Sequence, residues 1–269
     1  METKRALSIV VESTMKLNPR QTNIIATVRA SGPQSLESLS RQFDVSVQTL
    51  RRDVSMLADE GVLTRFHGGV RLPMSTTENV AHMQREEINA PGKARIGRAV
   101  AERIPNGSSL FMNIGTTIEA IARNLLQHQG MRVITNNLNV ASILAGNRDC
   151  EVIVAGGQLR HADRAIVGEA AVEFIHQFKV DIGLMGISGI ERDGTLRDYD
   201  FREVKVAQAI LKQSREVWVV ADMTKFDRPA MVEVAQLGQI DRLFVDAPLP
   251  PSFSSVIEAS GVECVIAAE

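Results

Sequence analysis

Three consecutive residues, Gly115, Thr116 and Thr117, have the types and spacing that bind an anion. They follow an apolar run at 109–114 and precede apolar residues that are spaced as in a helix. A strand that leads through glycine into a helix N-terminus presents unpaired N–H groups, and two hydroxyls add further donors for a phosphate. For an isolated Gly-Thr-Thr segment, simple helix capping by threonine is the better interpretation. The phosphate interpretation therefore depends on the residues that surround it.

Small or polar residues also follow four later apolar runs. Each run predicts a strand, and the carboxyl ends of parallel strands share the sheet edge at which open α/β sheets bind ligands. Lys225 is the natural cationic partner of a phosphate there, although an ordinary surface position would also explain it. Glu203 can accept a hydroxyl of the ligand. The predicted effector-binding residues are Asn113, Gly115, Thr116, Thr117, Asn136, Gly156, Gly157, Glu203 and Lys225.

The N-terminal quarter of the chain predicts a second functional site. Three helical segments precede two short β-prone segments that flank Gly68-Gly69, which is a hairpin signal. Ser35 and Ser46 can cap the second and third helices, and Asp44-Val45 makes a tight connection between them. This order of helices and hairpin is that of a winged helix-turn-helix. The predicted helical segments are 19–30, 36–43 and 47–61.

The third helix carries polar side chains away from its apolar stripe, as a helix that enters a major groove does. Glutamine can pair with adenine and arginine with guanine, while basic residues of the hairpin can contact phosphates. A solvated helix face would explain the same residues, but the adjoining hairpin favours DNA binding. Asp53 is expected to orient an arginine within the domain. The predicted DNA-binding residues are Ser46, Gln48, Thr49, Arg51, Arg52, Ser55, Arg65, His67 and Arg71.

The rest of the sequence alternates helical segments with near-continuous apolar segments. This alternation predicts an α/β fold, with a mostly parallel sheet covered by helices on both faces. The polar stretch at 73–92 contains two prolines and predicts a linker with a short helix inside it. The predicted domains are an N-terminal extension at 1–18, the winged helix-turn-helix at 19–72, that linker, and an effector domain at 93–269.

Composition narrows the class of protein further. The chain has 269 residues, and no apolar run approaches the roughly 20 residues that a membrane-spanning helix needs. The N-terminal segment lacks the features of a signal peptide. Histidines and cysteines show no metal-ligand spacing, so no metal and no cofactor is expected. Residues 1–72 carry ten lysines and arginines against seven acidic residues, a mild excess that is compatible with nucleic-acid binding. Together these features predict a cytoplasmic protein.

Several segments resemble the DeoR family of bacterial regulators, and the resemblance extends over about residues 19–250. The segment at 45–70 is similar to the family's winged-helix signature. The segments FMNIGTT, TNNLNVA, AGGQLR, IVGEA, GISGI and DMTKF are similar to its sugar-phosphate-sensing domain. The resemblance implies a C-terminal domain like the ribose-5-phosphate isomerase and CoA-transferase fold. It also implies a homo-oligomer, a dimer or tetramer, that binds operator DNA and represses a carbon-utilisation operon.

A phosphorylated small molecule is implied as the effector that releases such a repressor from DNA. Segments such as IPNGSSLF and VGEAAVEFIHQF resemble family members concerned with glycerol metabolism, which implies glycerol 3-phosphate. Two positions depart from the family pattern, which usually has Asp where this chain has Asn113 and Lys where it has Ala207. An amide can donate as well as accept, so the first departure changes the hydrogen bonds available.

Two alternative functions stay open at this point. The first is a sugar-phosphate isomerase-like enzyme with a DNA-binding appendage, for which Asp198, Asp200 or Glu203 would supply the base that proton transfer requires. A solvated, flexible loop is the expected position of these three carboxylates, which argues against that role. The second alternative is a constitutive DNA binder with a vestigial effector pocket.

Overall fold

The computed structural model describes residues 17–66, 69–73 and 82–267. The described residues up to 73 belong to one compact unit and those from 82 to a second. Among the described residues, no helix is long and apolar enough to cross a membrane.

The first unit is a three-helix bundle with a small antiparallel sheet. The order of its strands in the sheet is β1-β3-β2, so the hairpin β2–β3 is joined by a strand from between the helices. Residues 67 and 68, at the predicted hairpin turn, lie outside the described part of the chain. The elements are α1 (Pro19–Ser31), β1 (Gln34–Ser35), α2 (Leu36–Phe43), α3 (Val47–Asp59), β2 (Thr64–Phe66) and β3 (Gly69–Arg71).

Local signals in the sequence explain these boundaries. The hydroxyls of Ser35 and Ser46 accept hydrogen bonds from the backbone N–H groups of the third helical residue in α2 and α3. Asp44 adopts a left-handed conformation, with φ of 51°, and so turns the chain sharply between the two helices. Leu39, Leu50 and the other predicted apolar positions pack into one core. The winged helix-turn-helix prediction is confirmed.

The second unit is built on a seven-stranded sheet whose paired strands are all parallel. The order of strands is β15-β14-β12-β9-β4-β5-β6, and two smaller antiparallel sheets, β10-β11-β13 and β7-β8, accompany it. The elements are α4 (His82–Glu87), α5 (Ala90–Ala101), β4 (Ser109–Met112), α6 (Thr116–Asn124), β5 (Met131–Thr135), α7 (Leu138–Leu144), β6 (Cys150–Val154), β7 (Gln158–Arg160), β8 (Ala165–Val167), α8 (Glu169–Ile175), β9 (Val180–Gly186), β10 (Gly189–Ile190), β11 (Thr195–Asp198), α9 (Phe201–Lys212), β12 (Ser214–Val220), β13 (Val232–Gln236), β14 (Arg242–Val245), α10 (Pro251–Ser260) and β15 (Glu263–Ile266).

Both faces of the large sheet are buried. Successive residues of a strand point to opposite faces, and Leu184 and Met185 of β9 accordingly belong to two different apolar clusters. Burial on both faces explains why the strands are near-continuous apolar runs in the sequence. The prediction of a mostly parallel α/β domain is confirmed.

Two elements differ from the prediction made from the sequence. Helix α5 begins at Ala90, inside the stretch predicted as a linker, because Pro91 falls in its first turn, where a missing N–H group costs nothing. Helix α10 was not predicted, although Pro251 at its start is the same kind of signal. Proline therefore marks a helix start at both places, whereas at Pro91 it was interpreted as a feature of the linker.

Candidate functional site

The Gly-Thr-Thr segment forms the predicted helix N-terminus at the end of β4. Gly115 is the residue that precedes the first turn of α6, and its φ of 131° lies in a region that side-chain-bearing residues rarely adopt. No side chain caps this helix end. The first backbone bond into the helix runs from the N–H group of Glu119 to the carbonyl of Gly115, at 3.0 Å. Thr116 and Thr117 lie inside the first turn, so helix capping does not explain them.

This helix N-terminus opens into a small pocket at the carboxyl ends of three neighbouring strands. Strand β9 lies between β4 and β12 in the sheet, so the segments that follow the three strands converge. The short α4 and the start of α9 complete the walls. The lining residues are Arg85, Ile114, Gly115, Thr116, Thr117, Gly186, Ile187, Ser188, Asp198, Glu203, Val220 and Lys225.

Not all of the polar strand ends that were predicted to form one site line this pocket. Among the described residues, the lining does not include Asn136, Gly156 or Gly157. Strands β5 and β6 lie one and two places beyond β4, and each step across a sheet is about 4.8 Å. Asn136 instead donates its amide to the carbonyl of Ile166 at 3.1 Å and so supports β8. Both glycines are exposed beside β7.

Asn113 lies directly behind the pocket and does not line it. Its side chain is 1% exposed, and its backbone N–H group donates to the carbonyl of Leu184 at 3.0 Å. Within the described part of the chain, its side-chain oxygen Oδ1 has no hydrogen-bond partner. Ala207, the other departure from the family pattern, is 3% exposed within an apolar cluster. Neither residue is among those that surround the pocket.

Lys225 supplies positive charge to the pocket. It ends a short 3-10 helix, Met223–Lys225, that follows β12 and is capped by the carboxylate of Asp222. The side chain is half-buried. Burial and the nearby guanidinium of Arg228 lower the pKa of Lys225 to about 7. A lysine that is held partly discharged in this way gains charge when an anion binds beside it, so it is not an ordinary surface lysine.

Two buried carboxyl groups also line the pocket. Asp198 ends β11 and Glu203 lies in the first turn of α9, and each is less than a tenth exposed. The expectation of a solvated, flexible loop is therefore wrong, because β11 pairs with β10 and β13 and α9 packs on the sheet. Burial raises the pKa of Asp198, and burial together with the charge of Asp198 raises the pKa of Glu203 to about 8.

Arg160 holds the carboxyl side of the pocket in place. Its guanidinium donates to Glu203 at 2.6 Å and to Asp163 through two nitrogens, and it pairs with Asp200 at 2.9 Å. The hydroxyl of Ser188 donates to the other buried carboxyl group, Asp198, at 3.0 Å. The predicted residue Glu203 therefore does reach the pocket, but it is oriented by an arginine from β7 that is distant in the sequence.

Sequence reasoning missed Arg85 and Ser188, which also line the pocket. Ser188 belongs to the segment GISGI, in which small and polar residues follow an apolar run. Its place in the pocket lining could therefore have been predicted from the sequence. Arg85 lies in the polar segment taken as a linker and has no local signal of a ligand-binding role. Only the packing of α4 against the sensor unit brings it to the pocket.

In the first unit, the face of α3 that is predicted to contact DNA is largely exposed to solvent. Gln48, Arg51 and Arg52 are exposed, and Thr49 and Ser55 are half-buried. The exposed Arg65 of β2 donates to the hydroxyl of Ser55 at 3.0 Å and so ties the hairpin to the helix. Within the unit, these residues are the accessible part of the predicted DNA-binding surface.

The outcome differs for two other residues of the hairpin that were predicted to contact DNA. Arg71 is 4% exposed, which differs from the accessible position expected for a phosphate contact, because it lies in β3, whose residues are all buried. His67 lies outside the described residues. The role of Asp53 is confirmed, since it is buried and accepts a hydrogen bond from Arg20 of α1 at 2.6 Å.

The two units match known domains in the same order. Residues 20–76 match the DeoR-like helix-turn-helix domain, and residues 88–247 match the DeoR C-terminal sensor domain. The second match alone covers more than half of the chain. The chain belongs to the DeoR family.

Relatives of this DeoR chain include the glycerol-3-phosphate regulon repressor of Escherichia coli (strain K12). The two are 46% identical over 243 residues, which are 90% of this chain and 96% of the relative. The glycerol-3-phosphate regulon repressor of Haemophilus influenzae is also 46% identical, over 87% of this chain and 91% of the relative. These relatives are named as transcriptional repressors, which supports the interpretation of this DeoR protein as a regulator and not as an enzyme.

Among solved structures, ribose 5-phosphate isomerase A from Methanocaldococcus jannaschii is similar to part of this DeoR chain. The similarity covers 51% of this chain and 55% of that chain, with a TM-score of 0.38 and 12% sequence identity.

Proposed function

We propose that this DeoR protein represses transcription by binding operator DNA and that glycerol 3-phosphate, bound in the pocket, releases it. The observation that carries this proposal is the mixed lining of the pocket. An uncapped helix N-terminus and Lys225 can attract an anion, and the buried carboxyl groups of Asp198 and Glu203 line the same pocket. This combination suits a small molecule that carries both a phosphate and hydroxyls.

The phosphate end of the proposed ligand would bind at Gly115, Thr116 and Thr117. Unpaired N–H groups of the first helical turn donate to phosphate oxygens, and the helix dipole favours negative charge there. Lys225 would add a charge-assisted hydrogen bond, which is typically about twice as strong as a neutral one.

The hydroxyl end would bind at the carboxyl groups. Carboxylates accept hydrogen bonds from hydroxyls, and a protonated carboxyl can also donate. Because Arg160 and Ser188 already orient Glu203 and Asp198, these groups are organised before the ligand arrives. The names of the relatives favour glycerol 3-phosphate among the polyol phosphates that fit this description.

Operator binding would use the exposed polar face of α3. A helix with Gln48, Arg51 and Arg52 on one accessible face can read base edges in a major groove. We infer that a symmetric oligomer binds a palindromic site whose half-sites lie about one helical turn apart or a multiple of that.

The deciding experiment is a mobility-shift titration of the full-length protein. Operator DNA is first selected from genomic fragments by its binding to the purified protein, and glycerol 3-phosphate is then added. We expect release of the DNA by glycerol 3-phosphate, and no release by glycerol at the same concentration, because glycerol lacks the phosphate.

The alternatives predict other results in the same assay. A constitutive DNA binder would stay on the operator with every polyol or sugar phosphate tried. An enzyme would convert ribose 5-phosphate or a related sugar phosphate at a measurable rate. Asp198 and Glu203 give the enzyme some support because a raised carboxyl pKa is common in bases. The ion pair of Glu203 with Arg160 favours a binding role instead.

A further inference from the structure

Helix α4 is the first described element after the DNA-binding unit, and it carries a side chain into the effector pocket. The helix spans only His82–Glu87, and Met83 on its outer face is 79% exposed. Its Arg85 points inward, with its side chain 15% exposed, and lines the pocket beside the Gly-Thr-Thr segment. An isolated helix of this length is not stable in water, so its position depends on a few contacts.

The contacts that hold α4 come from α5 and from α6, the helix whose first turn contains Thr116 and Thr117. The imidazole of His82 lies 3.0 Å from the buried carboxylate of Glu119 in α6. Lys93 of α5 donates to the backbone carbonyls of Arg85 and Ile88, and so fixes the end of α4. The hydroxyl of Thr116 lies 3.5 Å from the same Arg85 carbonyl, at the long limit of a hydrogen bond.

The hydrogen-bonding capacity of the Arg85 guanidinium is only partly satisfied in this arrangement. Its Nη2 lies 3.6 Å from Asp163, a carboxylate that Arg160 already binds with two shorter hydrogen bonds. Its Nε is buried and, among the described residues, has no hydrogen-bond partner. A buried guanidinium nitrogen without an acceptor is costly, and an anion in the pocket would supply one.

We propose that Arg85 is a further effector-binding residue and that α4 is the element through which the sensor responds to the bound anion. This inference rests on the proposed function of the pocket. A guanidinium binds phosphate through two parallel hydrogen bonds, which the weak contact with Asp163 cannot match. The phosphate would draw Arg85 away from Asp163 and compete with its carbonyl for the hydroxyl of Thr116. Both contacts that change belong to α4, which is the first described element after the DNA-binding unit.

The test compares three variants of the full-length protein. Arg85→Met removes the positive charge and keeps much of the aliphatic part of the side chain. Arg85→Lys keeps the charge but loses the planar guanidinium that can donate two parallel hydrogen bonds. Arg215→Met is the matched control, because Arg215 is 74% exposed at the opposite, N-terminal end of β12 and is no part of the pocket. Circular dichroism and thermal unfolding establish that each variant is folded before binding is measured.

Calorimetric titration with glycerol 3-phosphate and with inorganic phosphate gives the first result. We expect Arg85→Met to weaken the binding of both probes by about tenfold or more, since a hydrogen bond to a charged group is worth about 1.5–3 kcal/mol. Arg85→Lys should fall between Arg85→Met and the wild type, and Arg215→Met should bind as the wild type does. Equal affinities for Arg85→Met and Arg215→Met would overturn the proposal.

Hydrogen–deuterium exchange of residues 82–88 gives the second result. We expect glycerol 3-phosphate to change exchange in this segment of the wild type and of Arg215→Met, and to leave it unchanged in Arg85→Met at a saturating concentration. An equal change in Arg85→Met would show that α4 responds without this side chain and would refute the second half of the proposal. If the wild type itself binds neither probe, the proposed function fails first, and the two failures are therefore distinguishable.

Discussion

At the residue scale, the pocket contains a lysine and a glutamate, Lys225 and Glu203, that are each only partly charged near neutral pH. The pKa of Lys225 is lowered to about 7 by burial and by Arg228, and the pKa of Glu203 is raised to about 8 by burial and by Asp198. Both groups therefore change charge close to neutral pH. Their charge states decide how strongly the pocket attracts a dianion.

Effector affinity should fall as the pH rises from 7 to 8.5. Lys225 loses its positive charge above its pKa, and Glu203 gains negative charge above its own, so both changes disfavour the phosphate. The ligand adds little in this range, because the second pKa of a phosphate ester is about 6. We expect a loss of roughly tenfold in the affinity for glycerol 3-phosphate, as measured by calorimetry.

The matched variants assign this pH dependence to the two groups. Lys225→Met should bind more weakly at pH 7 and lose most of the dependence, while Glu203→Gln should retain the part due to Lys225. A wild-type affinity that stays constant across the range would contradict the assignment of either group to the ligand.

At the element scale, α9 shows how one helix serves both the site and the core. Its first turn places Glu203 in the pocket, whereas Ala207, one turn later, lies in an apolar cluster below the sheet edge. A residue at position 207 is thus surrounded by core side chains. The family's usual lysine at this position would have to bury an ammonium group there.

Ala207→Lys should therefore destabilise the protein. An unpaired buried ammonium group typically costs several kcal/mol, so we expect the unfolding free energy to fall by about 3 kcal/mol in urea denaturation. Gln208→Lys is the control, because position 208 is exposed on the same helix and should change stability by less than about 1 kcal/mol.

The other departure from the family pattern is tested with Asn113→Asp. Combined with Ala207→Lys, it restores both residues of the family pattern, and a double-mutant cycle measures whether the two charges stabilise each other. We expect Asn113→Asp to offset part of the cost of Ala207→Lys, so that the double variant is more stable than Ala207→Lys alone. An unfolding free energy no higher than that of Ala207→Lys would contradict a favourable pairing of the two charges.

At the scale of the whole molecule, the proposed release of DNA is a coupling between two units that bind different ligands. Coupling free energies between sites are typically about 1–3 kcal/mol, which corresponds to a change in affinity of roughly 5–150-fold. Such coupling is reciprocal, because both paths around the binding cycle must have the same total free energy.

Operator DNA should therefore weaken effector binding by the same factor by which the effector weakens operator binding. Fluorescence anisotropy of labelled operator gives one factor, and calorimetric titration of glycerol 3-phosphate into the free and the DNA-bound protein gives the other. Arg52→Ala should weaken operator binding without changing effector affinity in the absence of DNA. Two factors that differ by more than experimental error would contradict release by equilibrium coupling.

Features that depend on neighbouring residues could be predicted from the sequence alone. Ser35 and Ser46 cap helices because the N–H groups that they satisfy lie three residues away. The helix N-terminus at Gly115 could be predicted for the same reason, since a strand, a glycine and a helix follow each other directly, whereas its lack of a side-chain cap could not. The apolar runs likewise predicted a parallel sheet, because strands buried on both faces need apolar residues at every position.

Which of these local features come together depends on how the elements pack. The order of strands placed the ends of β4, β9 and β12 together and left Asn136 and Gly157 outside the pocket, and no local pattern encodes that order. Arg85 and Arg160 reach the site from segments distant in sequence from the residues that they face. Burial, which follows from this packing, set the charge states of the pocket, because desolvation depends on everything that surrounds a group and not on its neighbours in the chain.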